Sequence, residues 1–96
     1  MPEINFQIQW PDNEIQSCYS PSLVVKKYFV TGEEYELAEF VEKSRTALNI
    51  ASDRVKEAYG FSCSRALTQI QQIESKAAQY EDLAAPKVRF LKFIEI

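Results

Sequence analysis

Residues 36–80 read ELAEFVEKSRTALNIASDRVKEAYGFSCSRALTQIQQIESKAAQY, and this stretch decides the fold. Leu37, Phe40, Val41, Ser44, Leu48, Ala51, Val55, Ala58 and Tyr59 recur at steps of three and four, the spacing that gathers side chains on one face of a helix. The opposite face is charged, with Glu39 four residues before Lys43 and Glu42 three before Arg45. Gly60 stands where a left-handed residue ends a helix without a Cβ penalty, and Phe61 follows as the apolar residue that packs back on the last turn. A second periodic run, Cys63, Ala66, Leu67, Ile70, Ile73, Ala77 and Tyr80, follows with Ser62 as its expected N-cap. The connection is so short that the two helices are expected antiparallel, sharing one apolar seam.

On the N-terminal side, Ile4, Phe6, Ile8 and Trp10 alternate with polar residues, the period-two pattern of a half-buried strand. The turn residues Pro11, Asp12, Asn13 and Glu14 lead to a second short strand at residues 15–19, so a hairpin is expected. Ser20-Pro21 resembles a helix start, and of the two conformations that residues 23–29 suit, a strand or one or two helical turns, a short helix is expected. Glu33, Glu34 and Glu36 place negative charge around the start of the long helix. Beyond the helices, Pro86 blocks continuation and residues 87–96 read as a final strand, apolar on both parities and so central or covered on both faces. The expected architecture is a single α+β domain over residues 1–96, in which a small antiparallel sheet, the hairpin plus the last strand, packs on the helical pair.

Fourteen acidic and eleven basic side chains give a net charge of −3, which argues against a general nucleic-acid binder. No apolar run is long enough to span a bilayer and no signal peptide is visible, so a cytoplasmic protein with no membrane partner is expected. Cys18 and Cys63 are then expected as free thiols. Without histidine there is no Ser-His or Cys-His dyad and no histidine metal site, and two glycines cannot build a phosphate loop. No catalytic residue, metal or cofactor is assigned.

The residues that remain for ligand binding are Ser44, Arg45, Ser52, Arg54, Cys63 and Arg65. Residues 45 and 52 share a face two turns apart, and arginine forks with hydroxyls can hold a carboxylate or phosphate. The competing reading is a solvated helix face with local ion pairs. Cys63, near a helix start, would feel the positive end of the dipole; alternatively it packs in the seam against Val55 or Tyr59. Trp10, Tyr19, Tyr28, Phe29 and Tyr35 are either core or an aromatic interface.

Trp10-Pro11-Asp12, CYSPSLVV at 18–25, FVEKSRTAL at 40–48, IASDRV at 50–55 and YGFSCS at 59–64 together resemble a family of short bacterial nitrogen-starvation-response proteins. Asn13 departs from the glycine expected after Asp12, though asparagine also tolerates the turn. The resemblance implies genes beside a nitrilase, an acetyltransferase, a radical S-adenosylmethionine protein and a flavoprotein, and it carries no catalytic residue. It leads to an expectation of a non-enzymatic accessory or interaction protein, a homo-oligomer working with a protein of that cluster. The alternative is a small-molecule or thiol-dependent binder or enzyme using Cys63 and nearby arginines.

Overall fold

The computed structural model describes residues 2–96. A four-stranded antiparallel sheet in the order β2-β1-β4-β3 carries the helical pair on one face. Strand β1 is Ile4–Gln9, β2 Ile15–Ser20, β3 Glu34–Glu36 and β4 Lys87–Glu95; helix α1 is Leu37–Tyr59 and α2 Ser64–Ala77. The central pair, β1 with β4, joins the two ends of the chain, Ile4 lying opposite Glu95.

The hairpin turns at Asn13, whose φ of 72° is the left-handed geometry asparagine tolerates. Its N–H reaches Trp10 O at 2.8 Å, and Asp12 Oδ1 accepts the Glu14 N–H at 3.0 Å. Inward-facing Ile4, Phe6, Ile8 and Trp10 are all buried, as their alternation requires. Phe29 and Phe90 stack with centroids 5.0 Å apart, Phe6 lies 5.7 Å from Phe90, and Trp10 meets Phe40 edge-on. Of the aromatic residues of the first third, Trp10, Tyr19, Phe29 and Tyr35 are buried, and Tyr28 is half-buried and packs against the core.

The last strand is central, as expected, but its two apolar parities come from a bulge and not from coverage on both faces. Gln7 pairs with Lys92 and Ile8 with Phe90, so Leu91 is an extra residue that bulges out of register. The bulge switches parity, and Val88, Phe90 and Phe93 all reach the core side.

Several boundaries move. The acidic run is shared between two elements: Glu34–Glu36 forms the edge strand β3, and Glu36 is also the N-cap of α1, so negative charge does stand at the helix start, with Glu39 following in the first turn. The short helix is a 3-10 helix over Leu23–Lys27, capped by Ser22 rather than Ser20, which ends β2. At α2 the N-cap is Cys63 rather than Ser62, without a side-chain cap bond. Gly60 ends α1 at φ 87°, but Phe61 does not fold back and stands 70% exposed. Lys43 lies over the ring of Tyr35 at 5.7 Å, and among the described residues forms no ion pair with Glu39.

The seam between α1 and α2 is built from small residues, Ser44, Ala47, Ala51 and Ser52 against Ala66 and Ala77, with Leu48, Ile70 and Ile73 filling the remainder. The last turns of α1 and the start of α2 overhang the sheet, so residues 56–62 are exposed.

Candidate functional site

Arg45 lies on the outward flank of α1, where the helix faces the C-terminal half of α2. Its Nε donates to Glu74 Oε2 at 2.9 Å and its Nη1 to Glu42 Oε2 at 2.8 Å. Glu74 above all, then Glu42, holds the guanidinium more firmly protonated than usual. The residue lines a groove of about 610 Å³ whose floor is Leu37, Val41, Ala77 and Pro86 and whose rim carries Glu36, Glu42, Glu74 and Glu81. Four carboxylates surround one neutralised guanidinium, a field that disfavours the carboxylate or phosphate suggested by arginine alone. Neighbouring Ser44 points into the seam, and its Oγ is buried without a hydrogen-bond partner. Removing an unsatisfied hydroxyl and improving helix propensity both favour alanine. Ser44→Ala is therefore expected to raise stability by about 0.5–1.5 kcal/mol in urea unfolding; a loss would mean the hydroxyl has a partner.

Ser52 and Cys63 do come together: the Cys63 N–H donates to Ser52 Oγ at 3.3 Å, tying the start of α2 to α1. Arg54 turns the other way, Nη1 donating to Ser22 Oγ at 3.4 Å. Arg65 spreads its guanidinium 3.7 Å over the ring of Tyr19, with Glu3 3.8 Å away. Tyr19 Oη donates to Glu3 Oε1 at 2.7 Å, and burial, then this bond, pushes its hydroxyl up to about 12. The six residues thus fall into separate neighbourhoods. Of the two thiols, Cys18 is buried and raised to about 12 by loss of solvation, whereas Cys63 is half-buried. A disulfide-exchange reagent should titrate one thiol in the folded protein and both in denaturant; immediate reaction of two would show that Cys18 is reached without unfolding.

The residue that sequence reading passed over is Gln69. It sits in phase with Ala66, Ile70 and Ile73, and a polar side chain at apolar spacing is the signal that marks it. Its Oε1 accepts the backbone N–H of Tyr19 at 2.9 Å, so α2 closes the free edge of β2.

A second cross-link fastens the hairpin turn to the far end of α2. Tyr80 Oη donates to Asp12 Oδ2 at 2.8 Å, Lys76 pairs with Glu14, and Trp10 Nε1 donates to Gln16 Oε1 at 2.8 Å. The Glu14 backbone N–H, then Tyr80, lowers the Asp12 pKa. A depressed carboxylate contributes stability in full above its unfolded value, near pH 4, and loses it as pH falls through the folded value. Tyr80→Phe should therefore begin to lose this contribution at higher pH than the unaltered protein does; identical acid limbs in pH-dependent unfolding would dismiss the coupling.

Among the described residues no cluster of histidine, cysteine and carboxylate side chains is placed to hold a metal ion, and no helix is long and apolar enough to cross a membrane. Comparison with curated proteins and with solved structures returns no match. The sequence profile of a family described as nitrogen starvation-induced protein NitG matches residues 5–93, which takes in both helices and all of the sheet except the first residue of β1 and the last two of β4. The chain belongs to the NitG family of nitrogen starvation-induced proteins.

Proposed function

We propose that the protein is a non-enzymatic accessory or interaction protein of the bacterial nitrogen-starvation response. It acts in the cytoplasm as a homo-oligomer and with a protein encoded in the same nitrilase-containing gene cluster. The observation that supports this reading is the fate of the candidate arginines: Arg45, Arg54 and Arg65 are each turned onto side chains of the chain itself. A site for a small anion needs such forks free and convergent. With the polar groups spent on holding the fold, the outward chemistry that remains is surface.

Co-purification of the tagged protein from nitrogen-starved cells tests the reading. Reproducible recovery of a cluster-encoded protein, absent from nitrogen-replete controls, is the expected result. Recovery of the same background set under both conditions would reject it.

A further inference from the structure

Between the start of α1 and the end of α2 lies the groove of about 610 Å³ floored by Leu37, Val41, Ala77 and Pro86. Leu37 and Ala77 are buried, but Val41 and Pro86 are only half-buried, so the floor keeps apolar surface open to water. Glu36, Glu42, Glu74 and Glu81 stand on the rim, with Arg45 the single cation among the lining residues. Glu36 and Glu81 form no ion pair among the described residues, and Arg45 is spent on Glu42 and Glu74. Other cations do not cancel this field. Lys43 is held over the Tyr35 ring and Lys76 by Glu14, and neither lines the groove. Lys87 stands opposite Glu36 across β3 and β4; counting it with Arg45 still leaves four carboxylates against two cations.

We propose that this groove docks a segment of a partner protein in which an apolar anchor is flanked by lysine or arginine. Charge complementarity carries the choice of occupant: an apolar floor inside a carboxylate rim matches an apolar side chain with cations on either side. The spread of the rim favours a polypeptide over a single amine. Glu36 and Glu42 are separated by about 9 Å of axial rise along α1, so one ammonium group cannot serve both. A segment with several cations can, while its anchor covers Val41 and the small side chains beside it. The proposal rests on reading the protein as an interaction module and states the chemistry of the partner surface.

Fluorescence anisotropy with dye-labelled synthetic peptides tests it on the full chain. A lysine-and-leucine peptide should bind, and lysine-and-serine and glutamate-and-leucine peptides of the same length should bind at least about tenfold more weakly. Added salt should weaken the binding. Glu36→Gln with Glu81→Gln removes the unpaired rim charges at exposed positions and should lower affinity about tenfold with an unchanged circular dichroism spectrum. Ala38→Arg, at an exposed position lining the groove, should lower it as much by filling and neutralising the site. Asp53→Asn with Glu57→Gln removes the same charge far along α1 and should leave affinity within about twofold. No binding, equal binding of the lysine-and-serine peptide, or equal losses from the near and distant variants would each overturn the proposal. Two further results would overturn it by naming another occupant. Hexylammonium that displaces the peptide at equal concentration would assign the groove to a small organic cation. A mass above 11.1 kDa for the protein alone, abolished by the Glu36 and Glu81 changes, would assign it to a second copy. The co-purification decides the broader reading separately: a cluster-encoded protein recovered equally well by the Glu36→Gln, Glu81→Gln variant would keep that reading and reject this groove.

Discussion

Phe90→Ala is expected to lower the unfolding free energy by about 3–5 kcal/mol, the range for deleting a fully buried phenyl ring. Phe90 has no exposed surface, lies on central strand β4, and touches the rings of Phe6, Phe29 and Phe93. Neighbours on three sides are held by strand pairing and by the 3-10 helix, so the cavity cannot collapse and the transfer cost and the void cost add. Against a typical domain stability of about 5–15 kcal/mol, such a loss removes a large share of the total. Trp10, the single tryptophan, is buried on the same face and reports the transition. Urea titration followed by its fluorescence gives the value; a change below about 1.5 kcal/mol would mean that the aromatic stack repacks around the hole. Lys92→Ala, one residue past the bulge and exposed, serves as the control and should stay within about 0.5 kcal/mol.

Gln69→Leu is the second large effect, about 1–3 kcal/mol, and it acts through the backbone. The substitution keeps the volume but leaves the Tyr19 N–H, at the buried end of β2, without an acceptor. Gln69→Glu keeps an oxygen in the same place and should recover much of the difference, which separates loss of the acceptor from a packing error. Loss of the latch also uncovers strand edge, so Gln69→Leu should aggregate faster near its midpoint than an equally destabilised core variant. Equal light scattering from the two at matched stability would remove edge protection as the role of Gln69.

The elements carried by long periodic runs were legible in the sequence: both helices, the Gly60 stop, the hairpin and the last strand. Those that escaped are set by neighbours far away in the chain. Three residues, Glu34–Glu36, carry too short a pattern to announce β3, and they become a strand because Arg89, Val88 and Lys87 lie opposite. The bulge at Leu91 is invisible in β4 alone and emerges only against the register of β1. The same limit governs the candidate site. Glu42 is three residues from Arg45 and its pairing is readable; Glu74 comes from α2 and is not, although it changes Arg45 from an anion receptor into a neutralised strut. The family resemblance was readable from segments spread along the chain, and the match over residues 5–93 upholds it.

Pairing of β1 with β4 at the centre of the sheet carries a consequence for biosynthesis. Strand β1 is made early, yet its second partner is β4, so on the ribosome it has β2 alone to pair with and one edge stays open. The helical pair, rich in local contacts, can form while synthesis continues, but its apolar face has no complete sheet to cover it until β4 is released. The sheet is thus completed only once β4 has left the ribosome, and loss of that strand would leave a nascent protein exposed to chaperones and proteases rather than a smaller stable domain.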